Sequence, residues 1–379
     1  MQKSSLVAGE PYNAYVPNPL PPSPPIELAE IAEWNRMAIA AIDALNDVAS
    51  ISTLDPSIIN YMYLRKEALL SSQIEGIQSS LDDLLRYESE LFSGVPVDDV
   101  EEVSSYVAAL SHGLKRIAGG FPLSLRLIRE IHRILLENSR GWSKAPGEFR
   151  TSQNWIGGTR PGNARFVPPP PDRVPGLMSD LEKLLYRDDI PPLIRAALTH
   201  QQFETIHPFL DGNGRTGRLL ITLYLCERGF LRSPFLYLSL FFKKNRELYY
   251  EKLNAVRNTG DWEGWLNFFL EGVAETANDA RATLVTIQKL FEADDAKVAS
   301  LKRPRITANA VFTQFKQKPL LTITEIAART ELAYNTASSS VRHLASLGII
   351  KSANDEKRGQ IYSYTGYIAL LTPGTGASR

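Results

Sequence analysis

The sequence predicts a mainly α-helical protein that contains a small amount of β-structure. Apolar residues recur at helical spacing in most segments between Ile26 and about Leu290, whereas Gly and Pro cluster between Trp142 and Pro171. Of the 379 residues, 44% are hydrophobic and 22% are charged, as in ordinary folded domains. A chain of this length predicts two or three domains.

Composition excludes several classes of protein. Cys226 is the single cysteine, which excludes intrachain disulfides and zinc clusters built on cysteine and favours a reducing compartment. The first 25 residues contain no apolar run of the signal-peptide type, and no stretch of 18 apolar residues occurs. We therefore expect a cytoplasmic protein with no membrane partner.

The first half of the chain predicts an arm followed by helices. Residues 1–25 are rich in proline and read as an extended arm that ends in Pro-Pro-Ser-Pro-Pro. Asp55 and Pro56 predict the start of a helix, and Gly76 predicts its end, because glycine suits the left-handed position after a helix. Apolar spacing predicts another amphipathic helix over 123–138.

The second half begins with a segment of different character. TSQNWIGG and NARFV, between residues 151 and 167, predict a short β-hairpin. Helical pattern returns from about Pro175 to Glu271, with one glycine-rich interruption, and a further helix is expected to end near Leu290. Residues 292–305 read as a linker.

The C-terminal segment is basic and resembles a winged helix. Residues 301–379 contain 11 Lys plus Arg against 4 Asp plus Glu, while the whole chain has zero net charge. Thr324 is expected to cap a short helix, and a second helix is expected over 335–347. Strands at 349–351 and 361–364 would flank a basic loop at Lys357 and Arg358. Such a domain binds DNA in the major groove or makes protein contacts, and both remain open here.

The glycine-rich interruption, His207-Pro-Phe-Leu-Asp-Gly-Asn-Gly-Arg-Thr-Gly-Arg218, concentrates residues suited to phosphate chemistry. Gly212 and Gly214 lead into a helix N-terminus, whose aligned N–H groups and dipole favour an anion. Arg215 and Arg218 are three apart and leave one face of the first turn. Asp211 is a hard ligand for Mg²⁺, and His207 can titrate near neutral pH and act as a general base.

This stretch matches in full the Fic-family signature HxFx(D/E)GNGRxxR. The resemblance implies a Fic-type helical bundle that transfers AMP from ATP to a Tyr, Thr or Ser hydroxyl of target proteins and of itself. It implies that His207 deprotonates the hydroxyl, that Asp211 holds Mg²⁺ and that Asn213 helps to position the α-phosphate. The backbone of Gly212 and Gly214 would hold phosphates, with Arg215 and Arg218 neutralising their charge.

An upstream segment resembles the inhibitory motif (S/T)xxxE(G/N) of the same family. Ser71 and Glu75 are four residues apart on one helix face, and Gly76 follows. By resemblance, Glu75 pairs with Arg218 and removes the cation that the γ-phosphate of ATP needs. The position N-terminal to the core makes this a class II arrangement, and in some relatives the same glutamate supports AMP removal.

Other parts of the resemblance concern the target, the base and the domains. The hairpin near Trp155 and Phe166 lies where Fic proteins carry a flap that binds the target by strand addition. Tyr249 and Tyr250 resemble the adenine-pocket segment, although both also fit an ordinary core. The resemblance implies a Fic-associated region over 1–110, a catalytic core over 111–290 and a winged helix over 301–379, and it makes a homodimer plausible.

Two other classes of function stay open at the sequence level. The winged helix would allow a DNA-binding regulator in which the Fic core acts as a sensor. The phosphate loop by itself does not distinguish ATP from donors of UMP or phosphocholine.

Overall fold

The computed structural model describes residues 2–376 apart from 8–9, 52–54, 90–96, 138 and 355–359. The expectation of a mainly helical fold is confirmed. The helices in the described ranges are α1 Leu28–Ile51, α2 Pro56–Ile74, α3 Leu81–Tyr87, α4 Val97–Ala118, α5 Leu125–Leu136, α6 Val174–Leu185, α7 Pro192–Ile206, α8 Asn213–Glu227, α9 Ser239–Lys244, α10 Arg246–Thr259, α11 Trp262–Ala299, α12 Arg305–Gln317, α13 Ile323–Thr330, α14 Tyr334–Ser346 and α15 Thr365–Leu371. The strands are β1 Gln2–Val7, β2 Glu10–Tyr15, β3 Leu320–Thr322, β4 Lys351–Ser352 and β5 Ile361–Ser363.

Local sequence explains where the predicted helices begin and end. α2 starts at Pro56, and the chain leaves it through Gly76 at a φ of 93°, as the sequence predicts. α5 begins after Ser124, whose side chain accepts a hydrogen bond from the Leu127 N–H. The apolar face of α5 is buried, so tertiary packing stabilises the helix in addition to its N-terminal cap.

One continuous core positions the site. α1 packs along α11, while α2 lies against α4, α8 and α9. α7 and α8 pack side by side and are joined by the glycine-rich loop, so that the loop lies near the C-terminal end of α2. Within the described part of the chain, no helix is long and apolar enough to cross a bilayer.

The N-terminal arm differs from the prediction of an extended segment. β1 and β2 form an antiparallel hairpin, with Gln2 opposite Tyr15. The predicted hairpin near Trp155 is reduced to one bridge, in which Ile156 and Phe166 exchange N–H···O bonds of 2.8 and 3.1 Å. The arm then adds to this bridge, because the Tyr15 N–H donates to the Val167 carbonyl at 2.9 Å. The prediction of an extended arm did not include this pairing, which satisfies backbone groups of the segment on the neighbouring strand.

The linker predicted over 292–305 is also largely wrong, because α11 continues to Ala299. Asp294 is buried there and accepts a hydrogen bond from the Tyr364 hydroxyl at 2.7 Å. Asp295 pairs with Lys316 at 2.6 Å. The acidic residues that suggested a solvated linker instead make contacts with the C-terminal unit.

The C-terminal unit combines α12, α13, α14 and α15 with an antiparallel sheet in the order β3-β5-β4. These elements are the ones that the winged-helix prediction requires, and the assignment itself stays a prediction. The cap of α13 is Thr322, not Thr324, and its capping box with Glu325 satisfies the first turn. The predicted basic loop at Lys357 and Arg358 lies outside the described residues.

The predicted domain limits also stay predictions. α4 runs through the limit expected at residue 110, and α11 runs past the limit expected at residue 290.

Candidate active site

The loop between α7 and α8 is shaped by two left-handed residues. His207 ends α7 with a φ of 50°, and Gly212 precedes α8 with a φ of 71°. Between them Phe209 is fully buried, and its N–H and carbonyl bond the Asn213 side chain at 2.8 Å each. These contacts fix the loop at its centre. Both polar side-chain atoms of Asn213 thus hold the loop backbone, and its part in positioning the α-phosphate stays a prediction.

Arg218 is buried beneath the start of α8 and is paired with the end of α2. Its Nη2 donates to the Glu75 carboxylate at 2.6 Å. Its Nε donates to Ser71 Oγ at 2.9 Å, and Nη2 also reaches the Ser71 carbonyl at 3.0 Å. The contact expected between Glu75 and Arg218 is present, and Ser71 supports it.

Gly214 makes room for the same carboxylate. It lies in the first turn of α8, and a Cβ there would come within 2.2 Å of Glu75 Oε1. Glu75 thus lies against the helix N-terminus, where an anion is favoured. Its side chain is 37% exposed, so the carboxylate is open to solvent while its guanidinium partner is only 1% exposed.

The charge environment keeps Glu75 ionised. Burial by itself would raise the pKa of Glu75, but the nearby Arg218 guanidinium outweighs it and lowers the pKa below its ordinary value. Arg215 and His207 act in the same direction. The carboxylate therefore holds a negative charge at the position where a phosphate is expected.

Arg215 faces a different partner from Arg218. Its Nη1 bonds Glu102 of α4 at 2.7 Å, and both side chains are 6% exposed. Glu102 also accepts from Arg140 Nε at 2.8 Å. Different carboxylates therefore hold the two arginines in place, Glu102 for Arg215 and Glu75 for Arg218.

The backbone of His207 is fixed by hydrogen bonds, whereas one nitrogen of its ring is unpartnered among the described residues. Its carbonyl accepts from Arg150 Nε at 2.9 Å, and Nδ1 has no hydrogen-bond partner among the described residues. Burial, followed by the nearby cations of Arg257 and Arg150, lowers the pKa of His207 to about 3. Titration near neutral pH is therefore a wrong expectation in this state. The ring is neutral at pH 7 and has a lone pair available to accept a proton.

Asp211 supplies a solvent-exposed carboxylate of the kind that binds Mg²⁺. Its carboxylate is 45% exposed and accepts the Gly212 N–H at 2.6 Å. The described residues contain no group of three or more His, Cys, Asp or Glu side chains placed to hold a metal. Mg²⁺ is commonly bound through one or two carboxylates together with substrate phosphates and water. The residues present fit that mode of binding.

Two segments of the chain match models of a known protein family. A model of the Fic/DOC family matches residues 122–225, and a model of the Fic/DOC family N-terminal region matches residues 34–115. The chain therefore contains a Fic/DOC domain and a Fic/DOC N-terminal region. Its two matched segments contain the loop at His207 and the upstream Glu75.

Curated relatives of the Fic protein carry the name protein adenylyltransferase Fic. Those of Drosophila willistoni and Drosophila yakuba are each 30% identical over 186 residues, which cover 48% of this chain. The match covers 34% of each relative, so this chain aligns with about a third of their length.

Solved Fic structures share the fold. A Fic family protein from Desulfovibrio desulfuricans G20 has a TM-score of 0.55 at 20% identity and covers 87% of this chain and 96% of its own. A Fic domain containing signaling protein from Bacteroides thetaiotaomicron VPI-5482 gives 0.52 at 20% identity, covering 68% and 97%. Fic-1 from C. elegans gives 0.51 at 22%, covering 68% and 74%. Identities this low are evidence for the fold alone.

The two tyrosines expected in the Fic adenine pocket have different environments. Tyr249 is 1% exposed, and its hydroxyl bonds His200 Nε2 at 2.8 Å, so it is a core residue and is not available to a base. Tyr250 is partly exposed, with its ring 5.6 Å from the Arg246 guanidinium. Arg246 Nε donates to the Ile74 carbonyl at 3.0 Å, which places Tyr250 beside the end of α2. Tyr250 alone of the pair remains a candidate.

Three residues that support the Fic loop were not identified from the sequence. His132 stacks on Phe209 at 3.6 Å, and its Nε2 bonds the Asp211 carbonyl at 3.0 Å. Arg150 reaches the carbonyls of His207 and Pro169, which ties the end of α7 to the base of the flap. His200 bonds the Gly217 carbonyl at 3.0 Å. A signal was present for Arg150, since it ends the Gly-Glu-Phe-Arg segment before the flap.

Glu204 is a further buried acid beside the site. It lies one turn before His207, and a Cβ at Gly217 would come within 2.5 Å of its Oε1. Burial raises the pKa of Glu204 to about 7, although Arg218 acts in the opposite direction. Gly217 therefore leaves space for a carboxyl group that is partly protonated at neutral pH.

Proposed function

We propose that this Fic protein is a protein adenylyltransferase that transfers AMP from ATP to a hydroxyl side chain of target proteins and of itself. We propose further that Glu75 inhibits it. The observation that carries this proposal is the 2.6 Å ion pair between Glu75 and the buried Arg218 at the N-terminus of α8. A carboxylate in that position competes with a phosphate for the same guanidinium and the same helix terminus.

The transfer requires one new bond and the loss of one old bond. The target oxygen attacks the α-phosphorus of ATP, the bond to the pyrophosphate oxygen breaks, and a ring nitrogen of His207 accepts the hydroxyl proton. The start of α8 and Arg218 bind the phosphates, and Arg215, held by Glu102, adds positive charge. Mg²⁺ at Asp211 supplies neutralisation of the phosphate charge.

Binding of ATP also changes the proton affinity of the base. The low pKa of His207 in this state arises first from burial and then from nearby cations. A polyphosphate beside those cations brings negative charge close to the ring and raises the pKa. His207 therefore becomes a stronger base when its substrate is bound.

The proposal is tested by intact mass after incubation with ATP and Mg²⁺. Glu75→Gly protein should gain about 329 Da, the mass added by one AMP, because release of Arg218 permits the productive pose. Glu75→Gly combined with His207→Ala should gain nothing. The matched control is Glu331→Gly, which also removes a glutamate just beyond a helix end, where the φ of 57° suits glycine. It should behave like the unsubstituted protein.

The same experiment separates the alternatives. A mass gain with UTP or a phosphocholine donor, but not with ATP, would replace AMP by another phosphate-containing group. Loss of AMP from modified protein that depends on Glu75 would favour AMP removal. No gain with any donor, on the protein itself or on proteins of a lysate, would overturn the transferase proposal.

The C-terminal unit fits docking to the body better than it fits DNA. Lys316 and Lys318 use their charge within the protein, on Asp295 and Glu325. The Lys316–Asp295 pair places one positive charge of the C-terminal unit on α11, whereas the Lys318–Glu325 pair lies within the unit and leaves its net charge unchanged. Binding of DNA remains a prediction that a salt titration with operator-length duplexes would test.

A further inference from the structure

The last described residues of the chain contact the C-terminal turn of α2, just before Glu75. Gly374, Thr375 and Gly376 follow α15, and Thr375 is 1% exposed. The Thr375 carbonyl accepts a hydrogen bond from Gln73 Nε2 at 2.9 Å. Gln73 lies in the last turn of α2, two residues before Glu75, which follows the end of that helix, so this contact holds the inhibitory segment directly.

A lysine joins the same three elements. Lys243 Nζ donates to Gln73 Oε1 at 2.6 Å, to the Gly374 carbonyl at 3.0 Å and to the Gly376 carbonyl at 2.7 Å. All three bonds of this ammonium group therefore tie α9, α2 and the tail to one another. Bonds with a charged donor are stronger than those between neutral groups.

Gln73 also fixes the turn that follows Glu75. The same Nε2 that bonds Thr375 donates to the Ser79 carbonyl at 2.8 Å. Glu75 and Gly76 lie between these two anchors, with their N–H groups bonded to the carbonyls of Ser72 and Gln73. Displacement of the tail would thus loosen the backbone on both sides of Glu75.

The tail fits closely at one glycine. Gly374 has a φ of 80°, and a Cβ there would lie 2.4 Å from Leu240 Cδ1. A Cβ at Gly376 would meet no atom within 4 Å. The two glycines therefore offer a substitution that displaces the tail and a matched one that does not.

We propose that the surface formed by Gln73, Leu240 and Lys243 is a binding site for the chain's own C-terminal segment, and that this docking holds Glu75 on Arg218. The control of activity rests on the proposed transferase function, whereas the docking does not. Through this contact the C-terminal unit governs the inhibitory glutamate, and a ligand that draws the tail away activates the enzyme.

The first measurement is amide hydrogen exchange of the full chain without nucleotide. Gly374→Leu should speed exchange at Glu75 and Gly76 about tenfold, because bonds that contribute about 1 kcal/mol each are lost. Gly376→Leu should leave the exchange unchanged. Lys243→Met, with little change in length, removes the two tail bonds and also the bond to Gln73 Oε1, so the rise in exchange that it shares with Gly374→Leu is the one assigned to the tail.

The second measurement is the rate of AMP transfer by the same proteins. Gly374→Leu and Lys243→Met should raise the rate toward that of Glu75→Gly. Adding Gly374→Leu to Glu75→Gly should give no further rise, because both act through the same pair.

The outcomes separate the two proposals. Unchanged exchange in both tail variants would overturn the docking proposal, whatever the activity. Faster exchange without a faster rate, while Glu75→Gly is active, would overturn the control of activity by the tail. Faster exchange with an inactive Glu75→Gly protein would overturn the transferase proposal and support the docking.

Discussion

Removal of Glu75 should lower the stability of the nucleotide-free protein. It should also increase the stabilisation that bound ATP gives to the protein. Glu75→Gly takes away the 2.6 Å bond to Arg218 and leaves that guanidinium with the hydroxyl and carbonyl of Ser71. A bond to a charged group contributes about 1.5–3 kcal/mol. Because Glu75 is 37% exposed, solvent screening reduces the loss to about 1–2 kcal/mol.

The assay is the melting temperature with and without ATP and Mg²⁺. A loss of that size corresponds to a fall of about 1–3 °C for a cooperative unit of this length, because the entropy of unfolding grows with the number of residues. ATP at a hundredfold excess over its Kd should then add about 2.7 kcal/mol to the variant, since the phosphate replaces the missing carboxylate. The unsubstituted protein should gain less at the same concentration, because Glu75 competes.

Two results would refute this reasoning. If Glu75→Gly melted at the same temperature as the unsubstituted protein without nucleotide, the pair would contribute nothing to stability. If ATP raised both melting temperatures equally, Glu75 would not compete with the phosphate. Glu331→Gly serves as the control, since it changes charge at a helix end in the C-terminal unit.

Three further predictions concern metal, pH and the C-terminal unit. Asp211→Asn should reduce Mg²⁺-dependent AMP transfer at least about 100-fold with little effect on the melting temperature, because its carboxylate is 45% exposed; transfer kinetics against Mg²⁺ concentration check this. Burial lowers the pKa of His200 and of His207 to about 3, so stability should fall as pH drops from about 6.5 toward 3, where the unfolded chain binds protons that the folded chain refuses. Urea denaturation across that range measures the slope, and a flat profile would contradict it. Asp294→Ala should lower the free energy of unfolding by about 1–3 kcal/mol, because the buried Tyr364 hydroxyl loses its acceptor; urea denaturation against Glu292→Ala as an exposed control on the same helix shows whether it does.

Sequence alone predicted the parts of the site that lie on one segment. The spacing of Ser71 and Glu75 places both on one helix face, and the glycines after Asp211 predict a turn into a helix N-terminus. The structure has the turn into α8, and it brings the side chains of Ser71 and Glu75 together on Arg218, although α2 ends at Ile74, one residue before Glu75. The contact between Glu75 and Arg218, 143 residues apart, followed from the family resemblance and not from any local pattern.

What sequence could not predict depends on tertiary packing. His132 and Arg150 are separated in the chain from the backbone groups that they hold, so no local spacing marks them. The orientation of Tyr249 likewise depends on His200, which lies 49 residues away. Helical periodicity identifies an apolar face, but it does not say whether that face meets a ligand or the core.

The errors in the predicted fold also arise from contacts between distant parts of the chain. Residues 292–299 were expected to be linker because they are acidic and polar, but Asp294 and Asp295 have partners on the C-terminal unit. The N-terminal hairpin was missed because proline-rich composition hides the backbone pairing of β1 with β2.

The continuity of α11 has a consequence for how the two ends of the molecule are coupled. Its 38 residues make a rod about 57 Å long that begins in the catalytic body and ends at the C-terminal unit. A single residue inserted between Leu284 and Ala299 would turn everything beyond it by about 100° about the rod axis. The tail that follows α15 would then face away from α2. The number of residues in α11 fixes the rotation of the C-terminal unit about the helix axis. That rotation therefore determines whether the tail after α15 reaches the segment that carries Glu75.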